Sequence, residues 1–443
     1  MPIQEVDTFY AASEKSYAES FKVEETAIDN YVEEDVQSEN NVHYTRGEGS
    51  ILTGIVSVTC VVAGTGTLGL PAAFATGGWL GILIMILGYI VACYSGIVLI
   101  RCLYYKPGYR LHDYKSIGRA AFGTFGYVAA SFFHFLNLFG CPALYLVLAA
   151  GNMNYLLRDT SGALNTWQWT IIVGVIVLIP LLVCKTMKEL TISSAIGAAC
   201  TMIAVFIITV QGPIDRKHAV EPVINDGVIW TGFPSALATI SFSYGGNNTY
   251  PHVEHALRKR GYWKYAVIAG LSICTCLYFL TAIPGYYSYG RDTQSPVYNS
   301  LRNETARMIS VIVMTVHVLL AIPIFSASFS LEFEQWTKVS DERLGKIKAW
   351  FARALIRIGN MTVLVILAIF IPYFHDFMGL IGALCTCTLV FLLPVIFYLR
   401  LTGVRNKPWY ELAFCAFTIF LGIIGCVFGT IDAIRALVAD FRH

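Results

Sequence analysis

Charge is scarce in this chain: Asp, Glu, Lys and Arg make up 14% of its 443 residues, against about a quarter in soluble globular proteins. With 56% hydrophobic residues, a water-soluble fold would lack the polar side chains to cover its surface, so the bilayer becomes the solvent. Other absences exclude whole classes of function. The N-terminus lacks the basic start and apolar stretch of a signal peptide. A net charge of +2 gives no sign of the basic face a nucleic-acid binder presents. An HExxH helix, a Walker loop and paired acids inside apolar runs are all missing, which argues against a membrane-embedded enzyme. No run carries the charged or carbonyl-rich filter repeat of a channel. The twelve cysteines all lie in apolar runs, where a thiol behaves as a small hydrophobe. The pairs Cys274/Cys276 and Cys385/Cys387 are two residues apart, about 200° around a helix, and cannot jointly grip a metal or close a disulfide. No cofactor is expected.

The charge that is present is unevenly placed. Residues 1–50 carry twelve acids and three bases, the mark of an acidic, flexible head available to a cytoplasmic regulatory partner. Beyond it, runs long enough for a transmembrane helix of about 20 apolar residues fall at 51–74, 80–104, 122–151, 167–184, 190–211, 231–252, 263–289, 305–331, 351–372, 376–399 and 410–437. They are called segments one to eleven below. Continuous runs of this length predict helices rather than the alternating short strands of a transmembrane barrel. With the head on the cytoplasmic side, the 31 Lys and Arg divide 23 inside and 8 outside, as the positive-inside rule requires. The C-terminus is then expected outside or in a lumen. The sequon Asn303-Glu304-Thr305 falls in an outer loop and is a weak glycosylation candidate.

Segments one and six carry helix breakers at mid-depth: GTGTLGLP at 64–71 and SFSYGGNNTYP at 241–251. Glycine and proline there predict unwinding, which hydrocarbon tolerates only where backbone lines a cavity or is buried in protein. Each break opens a set of five segments, with the eleventh left over. Corresponding breaks in two halves point to a secondary transporter built from inverted repeats, here about 51–211 and 231–399, plus an extra helix at about 410–437. Half-helix N-termini suit a carboxylate and half-helix C-termini suit an ammonium or a cation, so a zwitterionic amino acid matches both. Residues 64–69 also fit G-x-G-x-x-G, but no strand precedes them and residues 80–100 hold no acid, so a dinucleotide site is not expected.

At these motifs the sequence resembles the amino acid/auxin permease family, which shares the amino acid transporter transmembrane domain. The resemblance rests on AGTGTLGLPAAFATGGWLG at 63–81, KTMKELT at 185–191 and FSYGGNNTYPHVEHAL at 242–257, and runs from about residue 50 to the end. The head, with YVEEDV at 31–36, is similar to that of fungal neutral amino acid permeases. The resemblance implies the leucine-transporter-type fold and a substrate held by Thr65, Gly66, Thr67, Leu68, Phe242, Ser243, Tyr244, Gly245, Gly246 and Asn247, with Phe242 and Tyr244 forming part of a side-chain pocket or gate. Sodium-coupled members carry an Asn and a Thr where this chain has Cys60 and Ala321, a loss of two hard oxygen ligands that favours proton coupling over sodium.

Ionisable candidates for coupling or gating are few. Glu254, just past the break in segment six, is placed to carry or gate a proton, or serves as an inner helix-end charge near Arg258; His252 and His255 flank it. His134 shares a face with Asn137 in segment three, and His317 lies in segment eight with Ser326, Ser328 and Ser330. Each histidine is either a proton relay or helix-to-helix glue. Asp432 is expected to pair with Arg435. The leading reading is a proton-coupled symporter of neutral amino acids in the plasma membrane. The alternatives are a receptor of the same fold that binds without transporting, and a vacuolar exporter.

Overall fold

The structure is a computed structural model describing residues 48–106, 110–183, 191–339, 341–405 and 407–442. Most of the acidic head and six of the seven residues of KTMKELT lie outside the described residues. What is described is almost wholly helical, as a chain with no water to satisfy its backbone must be. Among the described residues, eight helices are long and apolar enough to cross a bilayer, or nine with the bent pair of segment one counted as a single span. The apolar helix Thr166–Leu182 is shorter than that standard, and segment six is split in two.

Several segments run beyond their sequence limits. Segment eight extends to Glu304–Trp336, segment nine starts earlier, as Lys346–Phe370, and segment eleven is Trp409–Asp440, whereas segment seven, Trp263–Tyr289, keeps its limits. Segment three differs more. Its helix begins at Tyr114, where Asp113 accepts the Ser116 amide at 2.8 Å as an N-cap. It then turns at Gly123, whose φ of 62° suits only a residue without a Cβ. The turn folds the helix back so closely that a Cβ on Gly118 would come 2.4 Å from the Gly126 carbonyl oxygen. Residues 114–121 thus form a short arm before the membrane helix.

Segment ten contains a widened helical stretch, Gly382–Leu392, between Phe374–Ile381 and Leu393–Thr402. Wide π-type turns leave carbonyls pointing sideways. Here Leu389 accepts the Tyr114 hydroxyl at 2.9 Å and Val390 accepts the Ser95 hydroxyl at 2.5 Å. These bonds tie segments two, three and ten together beside the breaks. Lipid-facing surfaces keep large apolar side chains exposed, such as Phe206 at 69% and Phe420 at 60%.

Candidate functional site

Segment one is two helices, Ile51–Val62 and Gly66–Gly77, bent by 56° across Ala63, Gly64 and Thr65. Segment six is Phe233–Ser243 and Tyr250–His255. The second piece starts with Pro251 in its first turn, where a missing N–H costs nothing. The two breaks press on each other: a Cβ on Gly66 would stand 2.7 Å from Ser243 Oγ and 3.0 Å from Ser243 Cα. From segment seven, the fully buried Tyr278 donates to the carbonyls of Val62, at 2.9 Å, and Ser243. Those are the last residues of the two leading half-helices, so one hydroxyl holds both broken ends.

Unpartnered polar atoms gather around this crossing. Thr65 Oγ1, Thr67 Oγ1, Ser241 Oγ, Ser243 Oγ, Asn247 Oδ1 and Thr386 Oγ1 are buried and have no hydrogen-bond partner among the described residues. Leaving one buried polar group unmade costs about 1–3 kcal/mol, so such a cluster marks a surface built to face a polar ligand or water. The helix starting at Gly66 is uncapped by any side chain; its Thr67 and Leu68 amides turn back onto the Gly64 and Thr65 carbonyls, and the Gly66 amide and the positive dipole end suit a carboxylate. The carbonyl ends at Val62 and Ser243 each retain a second lone pair for an ammonium group. Residues 60–70 and 241–250 contain no charged side chain. Together these groups offer partners to both charged ends of a zwitterion.

The residues named from sequence divide into two sets. Thr65, Gly66, Thr67, Ser243 and Gly245 lie at the crossing, with Gly245 against Thr386 of segment ten. Leu68 is fully buried as core, and Gly246 is pressed against Val62 and Tyr250. Phe242 packs beside Gly382. Tyr244 turns away: its ring covers Gly88 and its hydroxyl reaches the Met85 carbonyl at 3.0 Å and Thr275 Oγ1 at 3.2 Å, so it anchors segment six to segments two and seven. Asn247 likewise donates to Ser95 Oγ at 2.6 Å. Sequence reading missed Tyr278 and Thr386, since nothing local signals a contact from a distant helix.

The ionisable candidates gain partners. Glu254, fully buried, accepts the Tyr104 hydroxyl at 2.6 Å and Arg110 Nη2 at 2.8 Å, while Arg110 also donates to the Pro251 carbonyl. It is a latch at the second piece of segment six, paired with Arg110 rather than with Arg258. Beside it the backbone of Gly49 exchanges hydrogen bonds with Ala256 and Arg258, closing the start of the described chain onto segment six. His134 does not partner Asn137; its Nε2 lies 2.8 Å from Glu332 Oε1, and Lys115 holds the other oxygen at 2.7 Å. His317 meets segment five through Gly197 and Thr201, whereas Ser328 and Ser330 bond back to their own helix. Asp226, in the loop before segment six, is clasped by Arg291, whose hydrogen bond and charge hold the carboxyl below the usual range. Buried Asp215 accepts from Tyr289 and from the Arg302 amide. Arg435 and Asp432 pair at 4.0 Å. Asn303 is exposed and caps segment eight by accepting the Ala306 amide at 3.0 Å.

Residues 47–435 match the family described as transmembrane amino acid transporter protein. The amino acid transporter AVT1E of Arabidopsis thaliana is 25% identical over 399 residues, covering 88% of this chain and 73% of its own. The vesicular inhibitory amino acid transporter of Rattus norvegicus is 26% identical over 408 residues, covering 87% and 76%. Among solved structures, the substrate-bound outward-open state of a Na+-coupled sialic acid symporter aligns with a TM-score of 0.52 at 14% identity, covering 96% of this chain and 97% of its own. That likeness shows the fold, which is of the leucine-transporter type.

Proposed function

The chain belongs to the transmembrane amino acid transporter family, and on that premise we propose that it is a proton-coupled symporter of neutral amino acids working by alternating access. Eleven crossings, with the head inside and the C-terminus outside or luminal, complete the reading. The observation that carries it is the crossing of two broken helices lined by unpartnered hydroxyls and free of charged side chains. The substrate's carboxylate faces the amides at Gly66 and its ammonium faces the carbonyl ends at Val62 and Ser243. A charged substrate side chain would find no counter-ion at the breaks, which supports a neutral substrate. Cys60 and Ala321 supply no hard oxygen ligand from their side chains, which supports a proton over sodium as the coupling ion.

The plasma membrane is the favoured location. The vesicular name of the rat relative favours a second reading, an internal membrane where the same symport empties an acidic lumen into the cytoplasm. A competition assay in liposomes, with each common amino acid added against a labelled neutral one at two outside pH values, tests the proposal. Inhibition confined to neutral amino acids and uptake rising in acid is the expected result. Competition by lysine or glutamate as strong as by alanine sinks the neutral assignment.

A further inference from the structure

His317 sits on segment eight where that helix passes the unwound turn of segment one. Its Nδ1 lies 2.8 Å from the Gly197 carbonyl oxygen and 3.3 Å from Thr201 Oγ1, both on segment five. A carbonyl only accepts, so Nδ1 carries the hydrogen, and in the neutral ring Nε2 is left as a bare lone pair. That atom is buried, in a residue 6% exposed, and has no hydrogen-bond partner among the described residues. A Cβ built on Gly64 would lie 3.9 Å from Nε2 and 3.4 Å from the Tyr145 hydroxyl. Segments eight and three therefore aim one nitrogen and one hydroxyl at the same unwound turn.

That turn stands between two helix ends: the carbonyl end of the first half-helix at Val62, where a cation is favoured, and the amide end of the second at Gly66, which faces the opposite charge. The groups facing His317 are Tyr145 from segment three, Gly197 and Thr201 from segment five and Gly64 from segment one, none of them formally charged. Among the described residues, no carboxylate pairs with the ring. A neutral ring leaves Nε2 an orphan acceptor. A protonated ring presents an N–H donor toward the unwound turn at Gly64 and the Tyr145 oxygen beside it.

We propose that the coupling proton rides on Nε2 of His317 and that Tyr145 is its positioning residue; this rests on the proton-coupled reading above. When the outer side is open, the Nε2 lone pair takes a proton brought by water, forming one N–H bond and an imidazolium. When the inner side is open, that N–H bond breaks and the proton leaves to water. The Nδ1–H bond to Gly197 stays intact throughout, so the ring reports its charge directly to segment five.

Full-length wild type, His317→Gln and Tyr145→Phe in liposomes test this with a radiolabelled mixture of neutral amino acids. Counterflow at equal pH is measured beside accumulation driven by acid outside, and proton entry is read by a trapped pH dye. The expected His317→Gln protein still exchanges amino acid, but loses acid-driven accumulation and amino-acid-dependent proton entry by about tenfold or more. Its exchange rate becomes independent of pH. Tyr145→Phe stays coupled with a displaced pH midpoint. Proton entry per amino acid at the wild-type ratio in His317→Gln overturns the assignment. If that variant does not fold, an unchanged pH profile in Tyr145→Phe overturns it instead. A wild type that carries amino acids without protons removes the proton-coupled reading itself, before any variant is compared.

Discussion

The hydroxyl of Tyr278 lies 2.9 Å from the carbonyl oxygen of Val62, the last residue of the first half-helix of segment one. Because the same hydroxyl reaches Ser243 at the matching end of segment six, the two breaks share one donor from a third helix. Tyr278→Phe keeps the ring and strands both carbonyls. It is expected to lower stability by about 1–3 kcal/mol, read as a fall in the melting temperature of the purified protein, and to slow exchange. An unchanged melting temperature would show that the hydroxyl holds neither end.

Gly66 answers to contact distance more than to backbone freedom. Since a Cβ there would meet Ser243 Oγ at 2.7 Å and Cα at 3.0 Å, Gly66→Ala already forces the two breaks apart. Membrane insertion should survive while exchange is lost. Gly245→Ala, with its nearest neighbour at 3.2 Å, should be milder. Equal activity in the two variants would contradict this ranking.

The latch between Glu254 and Arg110 joins a carboxylate with no exposure to an arginine 14% exposed. Arg110→Ala strands that buried charge and should cost about 3 kcal/mol in thermal unfolding, because an uncompensated buried ion is worse than no ion at all. Adding Glu254→Gln should recover most of the loss. A double variant no more stable than Arg110→Ala would mean the pair is not coupled.

At the clasp of Asp226 by Arg291 the pH dependence follows from sign. Arg291 holds the Asp226 carboxyl below its ordinary value, so this clasp contributes above the unfolded pKa of about 3.9 and is lost as pH falls through the lower folded value. Between neutral pH and about 5, wild type and Asp226→Asn should therefore differ by a constant shift in melting temperature, which shrinks only in stronger acid. A difference that fades near pH 6.5, where histidine titrates, would assign the effect elsewhere.

Much of this architecture is legible in sequence because the bilayer enforces it. Apolar runs had to become helices, and GTGTLGLP and SFSYGGNNTYP had to break them; both did, at residues 63–65 and 244–249. What depends on packing between distant segments was not legible. The arm at 114–121 hangs on Gly123, an isolated glycine among many. Tyr244 reads as a pocket aromatic, yet Gly88 on segment two opens a slot that draws its ring away from the crossing. Glu332 falls one residue beyond the sequence limit of its segment, so its bond to His134 could not be seen from either residue alone. The partners of His317 lie 116 and 120 residues away on segment five.

The most direct measurement places wild-type protein in liposomes with a pH dye trapped inside and no imposed gradient, then adds a labelled neutral amino acid outside. Proton-coupled symport predicts that the lumen acidifies in step with entry of the label. Entry of the label at constant internal pH, or no entry at all, would contradict the account.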